Sequence, residues 1–467
     1  MTTYQPSIEQ KQEVAPVPAL SFWRKMAYGV GDVGPALVAT LSGFYLNAFL
    51  LDVAGLRPSM AALIFLIVKA WDSVNDPIIG TLTDRTNTRW GRRRPWLLFG
   101  AIPFGLAWFM QWLVPSWDTT ALFFYYLVVA LLLDTGLTAV NVPYTALTPE
   151  IAPDYNERTS LNTFRFSFSI LGGMFALIIH DSLLKAAPSI TTGYMISGLL
   201  MAGVIIVSNM ITFATTKETY FKEEDKKEPG FIEGFKIAFR NRPFLMVTGI
   251  YLMSWLSIQF IQANMLLYTR YWMKREDQFI VLAMSLQLSI FAFLLVWSKV
   301  SQRIGKRHVY FLGASLWIVV ELALFFIQPH QFNLLVMLAV LAGAGASVAY
   351  LIPWSMLPDV VDVDELNTGL RREGVYYGFF VFLQKLGISL GLAISNLVFE
   401  ATGYINATPD GVLPTQPGAV LWALRLFVSF VPAFVLLLSF PLVYKYPITR
   451  KRHAEIRAEL AARKEQV

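Results

Sequence analysis

The chain has no cysteine in 467 residues, which excludes disulfides, thiolate metal centres and cysteine nucleophiles. Charge is nearly as scarce. Asp, Glu, Lys and Arg make up 15% of the residues, against about 25% in an ordinary soluble domain, and this deficit excludes a soluble globular enzyme. Histidine occurs four times, as His180, His308, His330 and His453. None pairs at metal-ligand spacing with another histidine or with an acidic cluster, which leaves a membrane-embedded hydrolase or transferase without a centre. The net charge of +6 does not make a nucleic-acid binder, because the basic residues fall in short tracts between apolar segments. No enzyme activity, no cofactor and no nucleic-acid partner is expected.

What is present is apolar. Hydrophobic residues make up 55% of the chain, with 35 Phe, 19 Tyr and 13 Trp. They form about twelve runs, at about residues 22–51, 59–82, 95–114, 118–149, 160–180, 194–214, 243–271, 277–300, 308–327, 332–357, 374–402 and 417–444. Each run reaches the roughly 20 residues that a helix needs to cross a bilayer, and strands would need far shorter alternating segments. The expected fold is therefore an all-α integral membrane protein of about twelve transmembrane helices in two six-helix bundles. Residues 1–21 read as a cytoplasmic tail without the features of a signal peptide. Residues 22–214 read as the first bundle, 215–242 as a cytoplasmic linker carrying an amphipathic helix, 243–444 as the second bundle, and 445–467 as a cytoplasmic tail.

Arg85, Arg89, Arg92, Arg93 and Arg94 follow the second run, and Arg303, Lys306 and Arg307 follow the eighth. By the positive-inside rule both termini face the cytoplasm, with the cell membrane as the expected location. Arg270, Lys274 and Arg275 are the exception, on the opposite side. An internal repeat is also visible. Pro143-Tyr144-Thr145-Ala146-Leu147-Thr148-Pro149-Glu150 matches Pro353-Trp354-Ser355-Met356-Leu357-Pro358-Asp359 at an offset of 210 residues. Gly91-Arg92-Arg93 matches Gly305-Lys306-Arg307 at 214. Two matches at nearly one period predict parallel halves, with a solute site between them near mid-membrane.

Charges inside apolar runs cost several kcal/mol unless paired or hydrated, so each marks a functional candidate. The second run holds Lys69-Ala70-Trp71-Asp72-Ser73-Val74-Asn75-Asp76-Pro77. Asp72 and Asp76 are four apart and share a helix face, with Asn75 adding a side-chain oxygen close by. Two carboxylates at close range in a low-dielectric site must take up a proton, a basic partner or a cation. Hard oxygen donors suit a small monovalent cation, so Asp72 and Asp76 are the expected metal ligands. The plainer alternative is a structural charge network with Lys69. Arg165 in the fifth run and Lys385 in the eleventh are expected to neutralise the empty pair. Asp32, Asp134 and Glu321 are read as carboxylates facing neighbouring helices.

After the second run, Asp84 and Arg85 precede Gly91-Arg92-Arg93-Arg94. An acid at a helix end followed by a basic cluster can pair in one conformation and release in the other, which makes Asp84, Arg85, Arg92 and Arg93 a candidate gating loop. The same arginines also serve as topology anchors.

At these residues the chain resembles the major facilitator superfamily, specifically its glycoside-pentoside-hexuronide cation symporters, typified by the melibiose permease. The resemblance rests on Trp71-Asp72-x-x-Asn75-Asp76-Pro77, the loop from Gly80 to Arg94, Tyr28-Gly29-x-Gly31, Val142-Pro143 and Asp359-x-x-Asp362. It implies that Asp72, Asn75, Asp76 and Thr138 bind sodium, lithium or a proton, and that Arg165, Lys385 and Lys69 form the charge network. The sugar carboxylates of that family are replaced by Ala36 and Asn141, and its stacking aromatic by Thr145. Asn141, Tyr350 and Trp354 then remain as expected contacts to a solute. Segments around Asp52, Pro143 and Pro353 are also similar to the sodium-dependent lysophosphatidylcholine symporter branch. The expected function is cation-coupled symport of a sugar or glycoside by alternating access, by a monomer in the lipid bilayer. The alternatives are symport of a lysolipid or other amphiphile, and a non-transporting sensor or scaffold.

Overall fold

A computed structural model describes residues 20–152, 155–218, 231–408 and 412–465. The tail before residue 20 and the charged centre of the linker, 219–230, lie outside the described residues. Among the described residues there is no strand, only an isolated bridge between Thr88 and Gly91. Helices form twelve columns. The first runs over residues 22–53 and changes pitch through 3₁₀ and π segments. The next five are Pro58–Arg85, Arg94–Gln111, Thr119–Ala146, Tyr155–Ala186 and Ile190–Thr215. The last six are Arg242–Trp272, Glu276–Ile304, Lys306–Leu324, Phe332–Thr368, Glu373–Thr402 and Gly418–Lys445. Among the described residues, nine of the twelve are long and apolar enough to cross a membrane. The other three are the broken first column, the second, which carries Lys69, Asp72 and Asp76, and the 18-residue third. The protein is a multi-pass membrane protein.

Local chemistry fixes several helix ends. Asp118 caps the fourth span by accepting the amides of Thr120 and Ala121 at 2.9 and 3.2 Å, and Ser189 caps the sixth through Thr192. Prolines 77, 103, 143, 353 and 358 sit inside helices, each removing one backbone bond, which neighbouring helices and hydroxyl side chains allow in a membrane bundle. In the tenth span the run Ala342-Gly343-Ala344-Gly345-Ala346 lets Leu286 and Trp317 of the eighth and ninth spans close directly on backbone.

Packing brings the third, fourth and sixth spans together, and the first against the fifth; in the other half the eighth, ninth and tenth pack together, and the seventh against the eleventh and twelfth. The most extensive packing between the halves pairs the second span with the eleventh, the first with the seventh, and the fifth with the eighth. Two helices lie outside the spans. Phe231–Arg240 rests on the eleventh span through stacked Phe235 and Phe239 against Phe379. The C-terminal segment, read from sequence as a tail, is a helix over Arg450–Glu465 that docks on the tenth span through buried Ile456 and an Arg463 bond to the Leu366 carbonyl.

Candidate functional site

The second span places its charged side chains in one stripe against the fourth, and the two helices are joined residue by residue. Lys69 Nζ lies 3.8 Å from Asp134, the Trp71 indole N–H donates to Thr135 at 2.9 Å, and the Thr138 hydroxyl donates to Asp76 Oδ1 at 3.0 Å. Asp72 and Asp76 on the second span, and Asp134 and Thr138 on the fourth, each lie one turn apart and so share a face. Asp72 is 2% exposed and accepts from Lys69 at 3.0 Å. From the eleventh span Lys385 bridges the pair, donating to Asp72 Oδ1 at 2.9 Å and Asp76 Oδ2 at 2.6 Å. An ammonium thus stands between two carboxylates separated by one turn.

This donor set fits a small monovalent cation. It offers two carboxylates, the Thr138 hydroxyl and the amide of buried Asn75, whose Nδ2 has no hydrogen-bond partner among the described residues. All are hard oxygen donors apart from that amide nitrogen. Lys385 occupies both carboxylates in this structure.

Arg165 is not part of this cluster. It pairs with Asp32 of the first span at 3.5 Å and lies over the rings of Tyr144 and Phe166. The sequence placed Arg165 in the fifth span but carried no information on which way its helix is rotated, and Asp32 is the carboxylate it meets. Asp134, read from sequence as a carboxylate facing a neighbouring helix, lies within ion-pair distance of Lys69 on the second span.

The residues expected along the solute cavity separate into two groups. Ala36 is buried, with its carbonyl towards Gly173. Asn141 is half-buried one turn beyond Thr138, and the Thr145 hydroxyl turns back to the Val142 carbonyl at 3.0 Å. In the other half Tyr350 meets Trp255 edge-on at 4.9 Å, and Trp354 donates to the Tyr251 hydroxyl at 2.9 Å. Tyr251 in turn stacks on Phe380 at 3.9 Å. Tyr251, Trp255 and Phe380 complete an aromatic wall that the sequence did not single out, because aromatic residues are common in every span. A cavity in this half is lined by Ile258, Met265, Leu282, Leu286, Trp317 and Leu335, with Gln262 and Tyr268 its polar lining residues.

At the arginine-rich end, two arginines of the candidate gating loop are held in ion pairs. Arg92 and Arg93 reach Asp84 at 4.0 and 3.6 Å and Glu150 at 2.7 and 3.1 Å. Arg85 is exposed at the end of the second span. Glu218 was missed by sequence reading: its carboxylate accepts the backbone amides of Arg92, Arg93 and Arg94 at 2.6, 2.8 and 2.7 Å, capping the third span. The second half repeats the device. Lys306 binds Asp359 at 2.7 Å and the Ser355 carbonyl at 2.6 Å, so in each half the basic loop grips the acid ending the proline-aromatic-hydroxyl motif. His453 of the C-terminal helix adds contacts to Asp362 and Asp359 at 3.0 and 3.4 Å. Burial pulls the Arg371 guanidinium down, but hydrogen bonds to Glu365, Glu373 and Asp362 outweigh it and hold it above its ordinary value.

Both basic loops turn on a glycine of positive φ, 107° at Gly91 and 86° at Gly305. Gly91→Ala and Gly305→Ala should each cost about 1 kcal/mol for the left-handed backbone. Gly91→Ala should cost more, because a Cβ there falls 2.5 Å from the Glu218 carboxyl, whereas nothing lies within 4 Å at Gly305. Thermal unfolding of the purified variants should order them so.

The opposite end is closed by bonds between the halves. Arg270 binds Asp52 at 2.5 Å and also Glu276, and Tyr404 donates to Asp52 at 2.6 Å. Asn406 donates to the carbonyls of Leu51 and Leu56, Asn396 to Asn47, and Lys185 to the Asp277 carbonyl. Arg270 stood out in the sequence as a basic residue on the wrong side; it is buried as a counter-ion rather than placed as a topology signal.

The chain has relatives among known proteins. A family model described as MFS/sugar transport protein matches residues 27–450. An uncharacterized symporter of Synechocystis sp. is 40% identical, covering 96% of this chain and 98% of its own length. Sodium-dependent lysophosphatidylcholine symporter 1-A of Danio rerio is 28% identical over 93% of this chain and 87% of that protein. Among solved structures, the nucleoside transporter NupG aligns with a TM-score of 0.62 over 91% of this chain and 98% of that one, at 14% identity, a likeness of fold alone.

Proposed function

The chain belongs to the MFS/sugar transport protein family, and from that premise we propose that it couples entry of an organic solute to a monovalent cation, sodium first among the candidates. The observation that carries this reading is Lys385 held between Asp72 and Asp76 across the two halves. In the empty carrier the ammonium offsets part of the pair's charge and ties the second span to the eleventh. A cation entering at Asp72, Asn75, Asp76 and Thr138 releases Lys385, and with it one tie between the halves. Solute affinity and cation affinity are then linked reciprocally. In this reading the arginine-rich end lies on the cytoplasmic side, so the Asp52–Arg270 end is extracellular and its closure corresponds to an inward-facing carrier. Proton or lithium coupling uses the same carboxylates.

For the solute, the nearly apolar cavity of the second half favours an amphiphile, with its chain among Ile258, Leu282 and Trp317. The lysophosphatidylcholine symporters among the relatives support this choice. A sugar is the second reading, supported by the 38% exposed Trp354 as a stacking face and by Asn141 as a hydrogen-bonding group. Uptake into vesicles under an imposed sodium gradient tests the reading. Asp72→Asn or Asp76→Asn should abolish the sodium dependence, and unchanged dependence in both variants would overturn it. Competition of a lysophospholipid against a glycoside in the same assay separates the two solutes.

A further inference from the structure

Lys69 and Asp134 have no place in the coupling scheme as it stands, yet both belong to the cluster. Asp134 lies on the fourth span one turn before Thr138, 8% exposed, with Oδ2 lacking a hydrogen-bond partner among the described residues. Its Oδ1 is 3.8 Å from Lys69 Nζ, while the same ammonium donates to Asp72 Oδ2 at 3.0 Å. One flexible side chain therefore stands between two carboxylates, bonded to the first and within ion-pair distance of the second. Closing from 3.8 Å to a charge-assisted hydrogen bond takes a movement of about 1 Å.

Charge counting gives the second part of the argument. Asp72, Asp76 and Asp134 face Lys69 and Lys385, so with all five ionised the empty cluster carries one negative charge in excess. A cation that releases Lys385 leaves that count unchanged, but it also competes with Lys69 for Asp72. Without Asp134, an ammonium displaced from Asp72 would have no second carboxylate to pair with in a low-dielectric site, which is strongly disfavoured.

We propose that Asp134 is the docking position for Lys69. When sodium or lithium enters between Asp72 and Asp76, Lys69 leaves Asp72 for Asp134, which frees Asp72 Oδ2 for the ion and keeps the displaced ammonium paired. This rests on the symporter reading above and names how one lysine is displaced within it. Asp134 is a positioning residue, and its effect passes through Lys69.

The test is titration of the purified full chain in detergent with sodium or lithium chloride at constant ionic strength, read by thermal stabilisation and by calorimetry. Asp134→Asn should weaken the cation at least tenfold, and Asp134→Glu should stay within about threefold of the parent. Lys69→Gln alone should tighten binding several-fold, because a competitor is gone, and this holds whether or not Asp134→Asn folds well. The double variant Lys69→Gln/Asp134→Asn should return to within about threefold of the parent. Unchanged affinity in Asp134→Asn, or a double variant as weak as the single one, overturns the docking role while the cation site stands. A parent chain that responds to neither ion overturns the symporter reading and the docking role together.

Discussion

Lys385→Gln is expected to bind sodium about tenfold more tightly and yet to lose nearly all net uptake. The ammonium occupies both carboxylates in the empty carrier, at 2.9 and 2.6 Å, so sodium must displace it. Glutamine keeps much of the length but removes the charge, and a tenfold gain corresponds to about 1.4 kcal/mol. The cost falls on the other half of the cycle. After solute and cation leave, the carrier must return empty, and without Lys385 it returns with the carboxylate pair neutralised from one side only, by Lys69. That step should become limiting. Exchange of labelled for unlabelled solute needs no empty return, so it should persist at a rate comparable with the parent. Loss of exchange together with net uptake would instead mean that Lys385 is needed for solute binding or for the bundle itself.

The parts of this site that were legible in the sequence are those that depend on one helix alone. Asp72, Asn75 and Asp76 announce a shared face by their spacing, and the cost of a charge in lipid singles out Lys385. The partner choices were not legible in the same way, because they depend on how two helices are rotated and set against one another. Arg165 carries the same intrinsic signal as Lys385, but its helix turns it to Asp32. Asp134 and Lys69 meet because the second and fourth spans lie in register. Glu218 was hidden for a different reason: it sits in a charge-rich linker where one carboxylate looks like any other, and only the third span's amides single it out.

The fold was legible where hydropathy and helix length coincide, and less so where they part. Hydropathy ends the tenth span near residue 357, but the helix continues to Thr368. Asp359 and Asp364 stay in the helix because Lys306 and Arg372 neutralise them. A hydropathy profile reports where lipid ends, whereas ion pairs decide where the helix ends. The same distinction explains Arg270, which a count of loop charges assigns to topology and the structure assigns to a buried pair.

Arg270→Gln is the change expected to shift the conformational balance furthest. Arg270 and Asp52 are 6% exposed each and join the first and seventh spans. Removing one partner of a buried pair typically costs about 3 kcal/mol, because the other charge stays buried without compensation. That cost applies only while this end is closed; once it opens, Asp52 and Glu276 reach water. The substitution therefore destabilises one state and leaves the other nearly untouched, which moves the ratio by roughly a hundredfold at about 1.4 kcal/mol per factor of ten. The lack of cysteine makes the shift directly measurable. Asn47→Cys places a lone thiol at a residue that is 1% exposed and bonded across the halves to Asn396. With the Arg270–Asp52 pair intact, an impermeant maleimide added from the side opposite the termini should label it slowly. In the Arg270→Gln background labelling should be at least tenfold faster, and Asp52→Asn/Arg270→Gln, which removes both charges of the pair, should fall between the two. Equal labelling rates in all three would mean that the other bonds at this end, Tyr404 to Asp52 and Asn406 to Leu51 among them, keep it closed without the ion pair.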